Sequence, residues 1–247
     1  MSEATADTCV QLVTRRLAAD GFAVAILSSS GKGEALAAEL GGLGVTGSNQ
    51  SQADLRRLVD GALERWGRID VLVNSAGHGP RAPLLEISDE QWHTAVDGGV
   101  LGMVHCVRSA LPLLRRAAWA RIVNFSAQST QRQSPNLVAY TAAKAMVTSV
   151  SKNLSQLLAP DEIMVNVVSP GSIASEALVG WAGTVGVDGT DPYALMAAID
   201  KHFGHPAHLP RAGLPEEIGP VVAFLASRRN SYMTGANINV DGGSDFT

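Results

Sequence analysis

Cysteine is scarce in this chain: Cys9 and Cys106 are the only two among 247 residues. Two thiols so placed form neither a metal-ligand nor a disulfide pattern, and they fit a reducing, cytoplasmic setting. Positive charge is not in excess either. Nineteen Lys and Arg stand against 23 Asp and Glu, a net charge of -4, so the basic footprint of a nucleic-acid binder is absent. No apolar run approaches the roughly 18 to 20 residues of a membrane span. The start, MSEATAD, lacks the basic region and apolar core of a signal peptide. A soluble protein without a membrane or nucleic-acid partner is expected. What is present is apolar: 46% of residues against 17% charged, enough for a large buried core and too ordered a mixture for disorder.

Short apolar runs of strand length recur at Phe22 to Leu27, Ile69 to Asn74, Arg121 to Phe125 and Met164 to Val168. Continuous rather than alternating apolar character suits strands covered on both faces. Amphipathic segments lie between them, at Gln52 to Trp66 and Asp89 to Arg116. The alternation predicts an α/β fold, a doubly wound parallel sheet with right-handed crossovers flanked by helices. With no linker or repeat, residues 1–247 read as a single domain. The Gly- and Pro-bearing stretch from Gly180 to Pro210 reads as an irregular, flexible lid, at about 176–210 once its flanks are included. His202, His205 and His208 lie in it, but Pro206 and Pro210 break the helical periodicity there and no carboxylate or cysteine has ligand-like spacing, so no metal is expected. Trp181 and Phe203 either cover an apolar substrate or anchor the lid.

One stretch carries chemistry. Tyr140 and Lys144 stand four residues apart, a spacing that puts both on one helix face. A lysine ammonium there favours the phenolate of a tyrosine whose ordinary pKa is near 10. The pattern is common by chance, and an exposed helix pair is the plain alternative.

Around that pair the chain resembles the short-chain dehydrogenase/reductase family, especially its 3-oxoacyl reductase-like members. The resemblance rests on Leu17 to Gly21 as the end of the first helix, and on the turn Asn74 to Gly77 (NSAG). It continues in Ile122 to Ser126, Tyr140 with Lys144, the Ser169 to Gly171 turn, Pro215 to Ile218, Val222 to Ala226, and Thr234 to Gly243. These motifs occur in the family's order over most of the chain. The resemblance implies a Rossmann-like fold, a tyrosine acting as general acid/base, and oligomer contacts built by the last strand and two long helices.

The chain departs from that pattern at the cofactor loop and in the catalytic set. Counted back from Leu17, the family's three glycine positions fall on Ala4, Thr8 and Val10. A Cβ there is costly where backbone must approach a pyrophosphate. The second strand runs into Ser28, Ser29 and Ser30, without the acidic or Arg residue that reads a ribose, although Lys32 lies nearby. The adenine-contacting position is Ser48. The family's carbonyl-polarising serine, thirteen residues before the tyrosine, is Ala127, and its relay asparagine is Gly99. Ser126 is one residue off and points to the other strand face; Ser129 lies just beyond. Glycines at 98 and 99 each cost a helix about 1 kcal/mol relative to Ala. Ser175 either contacts a nicotinamide amide, as the resemblance implies, or caps a helix. Asn74 is expected to satisfy backbone groups at the sheet's edge.

These departures lead to the expectation of a first strand that is missing or degenerate. Either the second and fourth strands of the family then pair directly, or residues 1 to 8 fold in irregularly. They also lead to the expectation of a chain without a cofactor of its own, in which Tyr140 and Lys144 are a remnant pair in a silent site. Such a chain would be the non-catalytic subunit of a heteromeric complex, of the hydroxyacyl-CoA dehydrogenase type. It would support NAD(P)-dependent chemistry on a hydroxyacyl or oxoacyl substrate in a second subunit of the same family, as heterodimer or heterotetramer, with a homo-oligomer left open. Two alternatives stand beside it: an active NAD(P)-dependent oxidoreductase using Tyr140 and Lys144, and a cofactor-free isomerase or lyase.

Overall fold

The computed structural model describes residues 4–77 and 79–244, with side chains from Val10 onward. It shows a Rossmann-like α/β fold with parallel strands flanked by helices. The chain opens with helix α1 (Ala4–Ala19), followed by β1 (Ala25–Ser28), α2 (Lys32–Glu39), β2 (Leu43–Thr46), α3 (Gln52–Trp66) and β3 (Val71–Asn74). Then come α4 (Asp89–Val96), α5 (Gly102–Leu114), β4 (Ala120–Phe125), α6 (Val138–Leu157) and β5 (Ile163–Pro170). Helices α7 (Glu176–Thr184), α8 (Pro192–Phe203) and α9 (Ile218–Ala226) and strand β6 (Asn237–Val240) complete it.

Local sequence explains the helix ends. Ser51 caps α3 by accepting from the Asp54 N–H, and Gly67 closes it at φ 71°, where only a residue without Cβ is unstrained. Ser88 and Gln91 form a capping box at α4. Between α4 and α5 the chain widens into a π-helical segment, Asp97–Leu101, which carries Gly98 and Gly99. The pair of glycines expected inside a regular helix thus marks a π-bulge, a distortion frequent at functional sites.

Strand β4 is buried at every position because helices cover both of its faces. Val123 and Phe125 pack into a cluster with Val168, Ile218 and Val222 on one side. Ala120 and Ile122 pack with Val107, Leu114 and Val165 on the other. Burying each large side chain of this kind contributes about 1.5–3 kcal/mol. Helix α1 docks on α9 through Val13 and Leu17.

The strands fall into two parallel sheets among the described residues: β1–β2, and β3–β4–β5–β6. The family's second and fourth strands, β1 and β3, do not pair, which corrects the expectation of a direct pairing. Residues 4 to 8 are helical, not irregular; residues 1 to 3 lie outside the described region. Farther along the same helix, Val13 and Leu17 stand four residues apart on one face and pack against α9.

The expected irregular lid is likewise corrected. Asp191 caps α8 by accepting from Tyr193 N–H, with Pro192 at its first turn, and Leu195, Met196 and Ile199 pack with Ala182 and Ala212. No helix among the described residues is long and apolar enough to cross a membrane.

Candidate active site

The carboxyl end of β4 meets the first turns of α6, and Tyr140 and Lys144 stand there. The Lys144 ammonium lies 5.8 Å from the centroid of the Tyr140 ring and donates to the Phe125 carbonyl at 3.1 Å. Lys144 is only 4% exposed. Burial pushes its pKa down to about 8, and burial pushes the Tyr140 phenol up to about 12, opposed by the nearby Arg81 cation. Tyr140 is therefore a neutral proton donor at ordinary pH, beside an ammonium whose charge is easily lost.

Glycines let the loops close on this pair. Gly77 sits at φ +130°, and a Cβ there would lie 3.0 Å from Gly99 Cα and 3.2 Å from Lys144 Nζ. A Cβ at Gly79 would lie 2.6 Å from Tyr140 Cβ. Farther along the same loop, Ala82 bridges to Leu137. Arg81 is held between these two contacts, next to the tyrosine.

A polar ladder fixes the strands under the site. Asn74 donates to Asn124 at 2.8 Å, Asn124 to Ser151 at 2.8 Å, and Ser151 to the Val147 carbonyl at 2.6 Å. Asn74 thus ties β3 to β4 and α6 through side chains, not through the backbone groups expected of it. Ser126 donates to the Lys144 carbonyl at 2.9 Å and accepts from Thr148 at 2.9 Å, so it locks strand to helix. Ala127 is buried and extended, at φ -154°, and offers no hydroxyl. Gly99 packs against Gly77 in the π segment, where a Cβ would meet only ordinary contacts, 3.7 Å from Gly77 Cα.

Other expected residues are placed less decisively. Ser175 occupies the N-cap position of α7 but makes no capping bond. Ser169 is fully buried and donates to Asn237 at 2.7 Å. Ser28 and Ser30 bond to each other at 3.2 Å, and the Ser48 backbone N–H is held by Asp54 at 2.9 Å. Val10 lies within α1, while the side chains of Ala4, Thr8 and Cys9 are outside the described region. Among the described residues no cluster of His, Cys, Asp or Glu can hold a metal. His202 stacks edge-on against Trp181, whose ring also packs on Phe203 at 4.7 Å.

Arg132 was not singled out by sequence reasoning. It donates to the carbonyls of Gly204 (2.9 Å), Pro206 (3.0 Å) and Ser244 (3.2 Å), tying the loop before α6 to the segment after α8. A lone Arg in a polar loop gives no sequence signal for such a role.

Comparison with known proteins agrees with this geometry. The family profile described as Enoyl-(Acyl carrier protein) reductase matches residues 11–245. The 3-oxoacyl-[acyl-carrier-protein] reductase of Staphylococcus aureus is 31% identical over 94% of this chain and 91% of its own. An uncharacterized oxidoreductase of Methylorubrum extorquens is 34% identical over 94% and 91%. Among solved structures, L-sorbose reductase of Gluconobacter frateurii, complexed with NADPH and L-sorbose, superposes with a TM-score of 0.87 at 24% identity, covering 97% of this chain and 93% of that one. Ligand-free aldohexose dehydrogenase of Thermoplasma acidophilum gives 0.84 at 27% identity, covering 97% and 90%. The expectation of a cofactor-free chain is thereby overturned by the family itself, a family of NAD(P)-dependent reductases whose profile matches residues 11–245 and whose Staphylococcus aureus member is a 3-oxoacyl-[acyl-carrier-protein] reductase.

Proposed function

Because the chain belongs to the short-chain dehydrogenase/reductase family, matched from residue 11 to residue 245, we propose that it is an NAD(P)-dependent oxidoreductase acting on a carbonyl or hydroxyl compound through Tyr140 and Lys144. One observation carries this reading. A lysine buried to 4% exposure, with a single carbonyl acceptor at 3.1 Å among the described residues, keeps two of its three donors for other oxygens, and it does so beside a neutral tyrosine.

The residues present fit the nicotinamide-ribose end of the cofactor. Lys144 would hold it, with the two donors it does not give to the Phe125 carbonyl. NAD(P)H supplies hydride when bound. This chain's residues do the rest: Tyr140, held protonated by burial, donates to the carbonyl oxygen, and the Lys144 ammonium stabilises the phenolate left behind. The relatives suggest the substrate class, a 3-oxoacyl thioester or a sugar-like carbonyl.

The test is NADPH or NADH oxidation by the purified chain with acetoacetyl-CoA and with L-sorbose. Tyr140→Phe is expected to lower kcat by about 10²- to 10⁴-fold. No turnover by the unaltered chain, or an unchanged Tyr140→Phe, would contradict the reading.

A second reading is favoured by Ala127 and Gly99, which replace two catalytic side chains. In it, the chain supports a catalytic subunit of the same family that acts on a hydroxyacyl or oxoacyl thioester. Co-purification with such a subunit, in a complex whose activity survives Tyr140→Phe, would select this reading over the first.

A further inference from the structure

Tyr140 and Lys144 supply a proton and a charge, but Ala127 leaves the substrate carbonyl without a donor at the place the family's pattern provides one. The stretch from Ser126 to Thr130 holds three hydroxyls, and their hydrogen bonds separate them. Ser126 donates to the Lys144 carbonyl and accepts from Thr148. Thr130 donates to the Ala127 carbonyl at 2.9 Å. Both protons are committed.

Ser129 differs. It accepts, at 3.4 Å, from the hydroxyl of Thr141, the residue next to Tyr140 in α6, and its own proton has no acceptor among the described residues. It is 8% exposed and sits in the 3₁₀ turn Gln128–Thr130 that follows directly on Ala127. The same turn buries the Gln128 side chain, also 8% exposed, with its Oε1 unpartnered among the described residues. Buried polar groups are normally satisfied, so a turn with two uncommitted polar groups, in contact with Thr141 of the helix that carries the general acid, suits a polar ligand.

We propose that Ser129 is the hydroxyl that polarises the substrate carbonyl in this chain, in place of the side chain Ala127 lacks. The proposal rests on the oxidoreductase reading. In reduction, the carbonyl carbon gains hydride from NAD(P)H and the oxygen gains the Tyr140 proton, giving the alcohol, NAD(P)⁺ and a Tyr140 phenolate that solvent reprotonates. Ser129 keeps its proton throughout and donates a hydrogen bond to the oxygen as negative charge develops there. Thr141, donating to Ser129, makes that hydroxyl a better donor.

The experiment compares the unaltered chain, Ser129→Ala, Ser129→Thr, and Ser129→Ala combined with Ala127→Ser. Acetoacetyl-CoA and L-sorbose serve as probes with NADPH and NADH, and NADPH affinity is measured calorimetrically for each variant. Ser129→Ala is expected to lower kcat by about 10²- to 10³-fold, the usual loss of one such donor, with NADPH affinity unchanged. Ser129→Thr keeps the hydroxyl and should keep most of the activity. Returning a hydroxyl at position 127 should recover at least about tenfold of the lost rate. An active Ser129→Ala, or equal losses in the Ala and Thr variants, would overturn the role of Ser129 alone. No turnover by the unaltered chain would overturn the oxidoreductase reading and this role with it.

Discussion

The four-stranded sheet and the two-stranded sheet are built from similar runs of sequence but differ in how firmly they are held. Strands β4 and β5 are each paired on both sides. Ile122, Val123, Val165 and Val168 there are fully buried. Among the described residues strand β1 pairs on one edge only, and its best-buried residue, Ile26, retains 9% exposure. Tyr140, Lys144 and Ser129 all stand on the four-stranded half, whereas Ser28 and Ser48, the positions at which the family pattern reads a nucleotide, stand on the other. The candidate pair thus stands on the better-buried half, while departures from the family pattern fall on both halves, Ser28 and Ser48 on one and Ala127, directly after β4, on the other.

Core truncation should expose that contrast most strongly. Ile122→Ala is expected to cost about 3–5 kcal/mol, the upper part of the range for buried aliphatic truncation, and Ile26→Ala about 2 kcal/mol. Urea unfolding midpoints check both, and equal losses would break the comparison.

Lys144→Met should abolish turnover yet stabilise the fold. The folded pKa of Lys144, about 8, lies below its ordinary 10.5, so below pH 8 the folded state carries a buried charge. That penalty is on the order of 3 kcal/mol, since each tenfold loss of proton affinity corresponds to about 1.4 kcal/mol. Between pH 8 and 10.5 the unfolded chain holds a proton that the folded chain has released, so stability rises with pH in this window. The advantage of Lys144→Met should accordingly be largest below pH 8 and vanish above about 10.5, the ordinary lysine value. Tyr140 acts oppositely. Its folded pKa of about 12 lies above the ordinary 10, so its contribution is lost as pH rises from 10 to 12. Activity that needs the ammonium should fall as pH rises through about 8, read from the pH profile of kcat/KM.

The smallest effects concern the glycines that touch the site. Gly77→Ala meets Gly99 Cα at 3.0 Å at a positive φ and should destabilise by at least about 1 kcal/mol. Gly99→Ala meets only ordinary contacts and should stabilise by about 0.5–1 kcal/mol. Thermal unfolding of the pair checks the signs.

Much of this was legible in the sequence. Helix α3 spans the predicted Gln52–Trp66, since its cap, its amphipathic spacing and its closing glycine agree. Strands β1, β3, β4 and β5 were found because continuous apolar runs are conspicuous, whereas the short β2 was not among those runs, and the Tyr140–Lys144 face follows from spacing alone. What escaped depends on tertiary partners. Helices α7 and α8 were hidden by glycines and prolines, although Asp191 and Pro192 formed a readable start signal. The split sheet could not be read, because pairing depends on which edges approach. Ser129 gained its meaning only when Ser126 and Thr130 were seen to be committed elsewhere, and Arg132 only when three distant carbonyls converged on it.

The most direct measurement is calorimetric titration of the purified chain, alone, with NADPH and NADH, repeated on Lys144→Met. The account predicts saturable binding of one of them with a dissociation constant below about 1 mM, within the usual range for enzyme ligands, and clear weakening by the substitution. Absence of binding to either nucleotide, or binding indifferent to Lys144, would contradict the claim that the four-stranded half houses a working oxidoreductase site.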